Sequence, residues 1–368
     1  MKVLNLLTSG GVGGIEVLCR DIASGAKAEN VFCFLFGEGL IYDQMKNAGN
    51  TVYSFDHKKL SGRKLRELKE IAKECDIIVV HHDDPFLQMY YLSIMKSFPN
   101  KKYISIVHHC YDPVADNLGY GITKRTIKNY LIARMFRKSN KVVFVSNAGY
   151  KSYADHYTID KSKVEIVYNG ISESKLHDGK NIKKDRDSVI RLSYVGRLVE
   201  LKGVDKLIEV LPDLKSKYDF YLDIVGDGKS RQGLEERVRR LGVEDRVSFH
   251  GFQNNVGEYL RKTDIFVYPS KTEIFGLSLV EAMAYKCICV ANNVGGIPEI
   301  IDDKVNGFLN FDNTTNGLYK TICEAIQAYN DDKLRTRIMD EARRTACMFS
   351  INKTIDSLEN IYKETLES

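Results

Sequence analysis

Short apolar runs recur along this chain, and polar, helix-favouring stretches separate them. The runs at 2–8, 31–36, 51–55, 76–80, 103–107, 141–146 and 164–168 are dominated by Val, Ile, Leu, Phe and Tyr. Most lack strict polar alternation, so both faces of each strand want cover. That is the pattern of a parallel sheet with helices on either side. The intervening 61–74 and 84–97 read as helices, as does the stretch from a glycine-rich turn at 9–16 to about residue 26. This βα alternation predicts a doubly wound parallel sheet that binds ligands at the carboxyl ends of its strands.

Asn169-Gly170 ends the series as a turn, and the polar, lysine-rich residues 172–188 read as a linker. A second set of strand-like runs follows at 190–194, 220–225, 247–249, 264–268 and 287–291. The chain then turns helical from about 317 to 349, with a last helix over about 351–366. A chain of 368 residues exceeds one typical core. The expected fold class is therefore α/β, with one doubly wound parallel sheet in 1–171 and another in 189–350, joined by the linker 172–188.

One stretch carries chemistry. The run 264–268 exits at Pro269-Ser270, and Glu273-Ile274-Phe275-Gly276-Leu277-Ser278-Leu279-Val280-Glu281 leads into a helix. Gly276 sits where loop becomes helix. The N–H groups of Gly276 to Leu279 then lack intrahelical partners and share the positive end of the helix dipole, which suits a diphosphate. Glu273 precedes the helix, and Glu281 lies about one turn inside it. Carboxylates repel phosphate, so the pair reads as acceptors for the hydroxyls of sugars and riboses. An ordinary strand–loop–helix with two surface glutamates has the same spacing.

Glu273-x7-Glu281, with Phe-Gly-Leu between, resembles the signature of the retaining glycosyltransferases of family 4, which have the GT-B fold. Val195-Gly196-Arg197-Leu198-Val199-Glu200-Leu201-Lys202-Gly203 is similar to that family's diphosphate-binding Arg and Lys segment. Ile224-Val225-Gly226-Asp227-Gly228, Val247-Ser248-Phe249-His250-Gly251-Phe252 and Gly295-Gly296-Ile297-Pro298-Glu299-Ile300-Ile301 fall in the family's order and spacing. The resemblance thus covers nearly the whole chain. It implies two Rossmann-like domains facing across a cleft, the first binding the acceptor and the second a nucleoside-diphosphate sugar, with a UDP-sugar favoured. Residues 351–368 would pack back on the first domain.

The same resemblance implies roles. Arg197 and Lys202 would stabilise the leaving diphosphate, Glu273 would hold the transferred sugar, and Glu281 would accept from the ribose. Phe275, Gly276, Leu277, Ser278 and Gly14 would complete the donor site, while Gly11 and Gly13 would shape the acceptor side. The leaving phosphate oxygen would take the acceptor's proton on the same face of the sugar. Two fixed cations stand where other glycosyltransferases use a divalent metal, so no metal or other cofactor is expected. One departure is Lys286, which replaces the small residue usual before the strand at Cys287.

Other features change this picture less. The loop 9–16 lacks the Gly-x-Gly-x-x-Gly spacing of a dinucleotide site. His81-His82-Asp83-Asp84 and His108-His109 end two strands, but no helical repeat fixes them as metal ligands. The family resemblance implies instead that His108, with His109 as the alternate, contacts the donor sugar; a packing histidine is the plainer alternative. The eight cysteines form no Cys-x-x-Cys, as in a reducing cytoplasm. Met1-Lys2 runs straight into a strand, so no signal peptide is expected.

Charge is uneven. Residues 1–170 hold 24 Lys+Arg against 17 Asp+Glu, a balance of +7, whereas 171–368 hold 30 against 32, a balance of −2. Lys124, Arg125, Lys128, Arg134, Arg137 and Lys138 flank an apolar stripe of Ile127, Leu131 and Met135. The plain explanation is a core-facing helix with a solvated basic face. The sharper one is contact of Lys124, Arg125 and Lys128 with anionic lipid or a lipid-phosphate acceptor. The expectation is thus a cytoplasmic enzyme, peripheral at the inner membrane face, that glycosylates a lipid-linked or saccharide precursor of a surface glycan and binds no nucleic acid. A nucleotide-sugar epimerase and a non-catalytic nucleotide-sugar binder are the alternatives.

Overall fold

The computed structural model describes residues 1–55, 60–81, 84–111, 122–179, 182 and 189–368, and of 122–124 only the backbone. The chain divides into two compact units, Met1–Gly170 with Ile351–Ser368, and Ile171–Ser350.

The first unit holds seven parallel strands: β1 (Lys2–Leu7), β2 (Glu29–Phe34), β3 (Thr51–Ser54), β4 (Ile77–Val80), β5 (Lys102–Val107), β6 (Lys141–Phe144) and β7 (Val164–Ile166). Their order is β3-β2-β1-β4-β5-β6-β7. Every residue of β4 is buried, as its all-apolar sequence requires of a central strand covered on both faces. Strand order reverses beside β1, so the crevice for ligands opens at the carboxyl ends of β1 and β4.

The second unit repeats the plan with β8 (Ile190–Val195), β9 (Phe220–Val225), β10 (Val247–Gly251), β11 (Ile265–Tyr268), β12 (Ile288–Asn292) and β13 (Phe308–Asn310). The order is β10-β9-β8-β11-β12-β13, all parallel. Here the reversal falls between β8 and β11. Phe220, Phe266, Ile288 and Val290 are completely buried, and each such side chain contributes about 1.5–3 kcal/mol.

Three local features differ from the sequence expectation. β13 is absent from the sequence pattern, because three residues are too few for a periodic signal. The helical stretch after 317 is two helices, Thr315–Asn330 and Asp332–Met348. Asp331 interrupts it, its carboxylate accepting from the N–H groups of Lys333 and Leu334 as a cap for the second helix. Within the polar stretch 172–188, Glu173–Asp178 is a helix that belongs to the second unit.

The final helix, Ile351–Glu367, belongs to the first unit. Its Glu359 is buried and accepts from the N–H groups of Lys27, at 2.5 Å, and Ala28, at 3.0 Å. Thr354 donates to the Tyr168 carbonyl at 2.9 Å.

Candidate active site

The residues expected around a diphosphate gather at the strand-order reversal of the second unit. Arg197 and Lys202 follow β8, and Glu273 and Gly276 follow β11. The loop that carries Glu273 is clamped from three sides. Lys271 N–H donates to the Leu201 carbonyl at 2.8 Å. The buried Asn292 amide donates to the carbonyls of Pro269 at 3.0 Å and Ser270 at 3.1 Å. Gly296 N–H donates to the Glu273 carbonyl at 3.0 Å. Gly295 must be glycine, since its φ is +52° and a Cβ there would lie 1.8 Å from the Glu273 carbonyl oxygen. The Gly295-Gly296 motif therefore braces the loop that carries Glu273.

Lys202 and Glu273 form an ion pair, both about one-seventh exposed. Tyr268, the last residue of β11, lies between them. Its hydroxyl donates to Glu273 Oε2 at 2.7 Å and accepts from Lys202 Nζ at 3.1 Å. The phenol is held far above its ordinary pKa, first by burial and then by the Glu273 charge, so it remains a donor. Its ring stacks on Tyr194, with centroids 6.3 Å apart and planes at 19°. Arg197 is exposed, and its side chain has no ion-pair partner among the described residues. The pair of cations is thus asymmetric: Lys202 is neutralised locally, whereas Arg197 is open to an anion.

The helix Leu277–Ala284 starts from Gly276, whose φ of +101° is a left-handed conformation suited to glycine. No side chain caps this end. Leu279 N–H, expected to be without an intrahelical partner, instead donates to the Gly276 carbonyl at 3.0 Å in a tight first turn, so the N–H groups left for an anion at the carboxyl edge of β11, beside Lys202 and Glu273, are those of Gly276, Leu277 and Ser278. Glu281, one turn in, forms an ion pair with Lys175 of the helix Glu173–Asp178. At the other end, Lys286 has a φ of +57°. Such a turn favours a small residue, and Lys286 is held there by an ion pair with Asp340 at 2.9 Å.

The other candidates lie in the first unit. Gly11, Gly13 and Gly14 follow β1 and open the helix Gly14–Gly25, which also lacks a side-chain cap. His108 follows β5, with Nε2 3.2 Å from Nδ1 of the buried His81. His81 in turn holds Asn5 Oδ1 at 2.9 Å. His109 Nε2 lies 2.8 Å from the Tyr153 hydroxyl. The two histidines therefore take different partners within the unit. His82 and Asp83 lie outside the described residues, and among the described ones no group of three His, Cys, Asp or Glu residues is placed to hold a metal.

The basic helix, Ile122–Lys138, corrects one expectation. Lys128 is only 7% exposed and does not belong to an exposed basic face, whereas Ile127 is 50% exposed. At helical spacing, Lys128 shares its arc with Leu131, Ile132, Met135 and Phe136, all buried. The open face carries Ile127, Tyr130, Arg134, Arg137 and Lys138 instead. Arg125 is exposed, and the Lys124 side chain lies outside the described residues.

Nothing in the sequence marks Tyr268 or Lys175 as part of the candidate site. Tyr268 closes an apolar run and has the pattern of core, and Lys175 stands among other lysines in a polar stretch. Their roles depend on contacts of 5 and 106 positions' separation, the second beyond any local pattern.

Comparisons with known proteins bear on the family and the fold. Residues 12–175 match the family described as "Glycosyltransferase Family 4", and residues 175–345 match "Glycosyl transferases group 1". An uncharacterized glycosyltransferase of Methanocaldococcus jannaschii is 30% identical over 251 residues, 67% of each chain. The N-acetyl-alpha-D-glucosaminyl L-malate synthase of Bacillus anthracis is 28% identical over 315 residues, 82% of this chain and 78% of its own. The Anabaena protein Alr3699/HepE, solved in complex with UDP, shares the fold with a TM-score of 0.83 at 21% identity, over 99% of this chain and 100% of its own. With its two Rossmann-like parallel-sheet units and these family matches, the chain belongs to the group 1, family 4 glycosyltransferases of GT-B fold.

Proposed function

We propose that this chain transfers a hexosyl group with retention from a UDP-sugar to a lipid-linked or saccharide acceptor in surface-glycan synthesis. The observation that carries the donor assignment is the convergence of exposed Arg197, Lys202 and an uncapped helix N-terminus at one strand-order reversal. Three positive groups with two carboxylates beside them suit a diphosphate attached to hydroxyl-bearing rings. The UDP bound by the Anabaena relative supports uracil as the base.

In the reaction, the bond between the anomeric carbon and the diphosphate oxygen breaks, and UDP leaves with its charge on Arg197, Lys202 and the helix terminus. Those preorganised positive groups lower the barrier where charge develops. The acceptor oxygen bonds to the anomeric carbon on the same face, and its proton passes to the departing phosphate oxygen. Glu273 holds sugar hydroxyls and Glu281 ribose hydroxyls. The cations carry the phosphate charge, so no divalent metal is needed. The helix Ile122–Lys138 meets the anionic surface where a lipid-linked acceptor resides, consistent with a cytoplasmic protein peripheral at the inner leaflet.

The test is to incubate the full chain with a panel of UDP-sugars and acceptors and to read the anomeric configuration of the product by NMR. A product of inverted configuration would refute retention. Conversion of donor alone into an epimer would refute transfer.

A further inference from the structure

We infer that Lys175 is a positioning residue of the donor site, one that holds Glu281 ready for the ribose and makes the site prefer ribonucleotides. The inference rests on the donor reading above. The ion pair engages Glu281 Oε1. Glu281 Oε2 has no protein partner among the described residues, and the side chain retains 13% exposure, so it is reachable by a ligand. A carboxylate offers about four lone-pair sites. Lys175 takes one of them and fixes the rotamer, which leaves the others for a vicinal diol.

Lys175 is not needed to hold its own helix in place. Arg343 donates to the carbonyls of Leu176 and Ala284, both at 2.9 Å, and so ties that helix to the end of Leu277–Ala284. Asp178 adds an ion pair to Arg261 at 3.1 Å and accepts from the Tyr285 hydroxyl at 3.4 Å. With the helix anchored twice over, the Lys175–Glu281 pair is free to serve the ligand. It also offsets a carboxylate that stands one turn from the proposed diphosphate position, where an unpaired negative charge would repel the donor.

The two effects separate by ligand. Charge compensation acts on any nucleoside diphosphate, whereas positioning of Glu281 acts only when hydroxyls are present. Isothermal titration of the full chain with UDP and with 2′,3′-dideoxy-UDP reads both. Wild type is expected to prefer UDP by about tenfold, the worth of a hydrogen bond to a charged group. Glu281→Gln should bring that ratio close to one. Lys175→Met should lower it nearly as far, Lys175→Arg should restore it, and Lys175→Met combined with Glu281→Gln should lower it no further than Glu281→Gln alone. A merely structural lysine would weaken both ligands equally and leave the ratio unchanged. If Lys175→Met keeps the full preference while Glu281→Gln loses it, this inference is overturned and the donor reading stands. If Glu281→Gln keeps the preference, or wild type binds no UDP, the donor reading fails and this inference with it.

Discussion

Lys202 forms an ion pair with Glu273, so one of the two proposed diphosphate cations is already engaged by a carboxylate. When an anion binds, the ammonium must divide its three donors among phosphate, Glu273 and Tyr268. Both Lys202→Ala and Arg197→Ala should lower kcat/KM by about 2–4 kcal/mol in transition-state terms, comparable to losing one oxyanion donor. Only Lys202→Ala should also lower Tm, because it leaves a mostly buried Glu273 carboxylate without its cation, whereas Arg197 is exposed. Steady-state kinetics with near-wild-type turnover in both variants would remove the proposed mechanism.

Tyr268→Phe removes the donor to Glu273 and keeps the ring that stacks on Tyr194. The loss should cost about 0.5–1.5 kcal/mol of stability. Glu273 should also lose the orientation proposed for holding the sugar, so kcat should fall while affinity for free UDP stays level. Titration and kinetics on the same preparation decide this, and an affinity loss matching the kcat loss would assign Tyr268 to the nucleotide rather than to the sugar.

Much of this site is legible in the sequence because it lies on strand exits. Arg197, Lys202, Glu273 and Gly276 each follow an apolar run, and the βα periodicity places those runs side by side. What stays hidden is how the polar groups pair. Nothing local distinguishes Lys175 from other lysines of its polar stretch, and Tyr268 differs from the Phe266 two residues before it only by a hydroxyl. The place of Lys128 is hidden for a related reason. Its charge points to solvent, but its helical register puts it among Leu131, Ile132 and Met135, and the long aliphatic stem tolerates that position.

Alkaline pH should destabilise the fold. Burial raises the pKa of the phenols of Tyr91, Tyr194, Tyr268 and Tyr362 and of the thiols of Cys19 and Cys33, and pushes Cys75 up to about 11. Unfolded thiols and phenols ionise near pH ~8.5 and ~10. Groups with raised folded values contribute stability that is complete below the unfolded value and lost as pH rises above it. Urea unfolding should therefore give a level free energy between about pH 7 and 8 and a falling one above about pH 9. A level profile to about pH 11 would contradict the burial of these groups.

The cations proposed for the leaving group lead to a chelator test. Turnover should persist in excess EDTA if, as proposed, Arg197, Lys202 and the helix terminus carry the phosphate charge. If EDTA abolished activity and Mg²⁺ or Mn²⁺ restored it, a metal would share that role and the assignment of the two cations would have to be revised.

The proposed meeting with a lipid-linked acceptor rests on one face of the helix Ile122–Lys138. Ile127 and Tyr130 are 50% and 56% exposed there, large apolar groups open to solvent. Arg134, Arg137 and Lys138 lie on the same face at helical spacing, and Arg134 donates to the Tyr130 hydroxyl at 2.8 Å. Apolar groups ringed by cations suit an anionic bilayer surface, where each basic residue contributes on the order of 1 kcal/mol and salt weakens the attraction. The first 170 residues also carry the +7 balance. Co-sedimentation should therefore show binding to vesicles containing phosphatidylglycerol, little to purely zwitterionic ones, and less of either at high salt. Replacing Arg134, Arg137 and Lys138 with Ser should abolish the difference, and replacing Ile127 and Tyr130 with Ser should weaken what remains at high salt. Lys128 is excluded from the set because its burial would confound the result with misfolding. UDP affinity should be unchanged in these variants, since the proposed donor site lies in the other unit. Equal sedimentation with anionic and zwitterionic lipid would favour a soluble saccharide acceptor, with the basic face merely solvated.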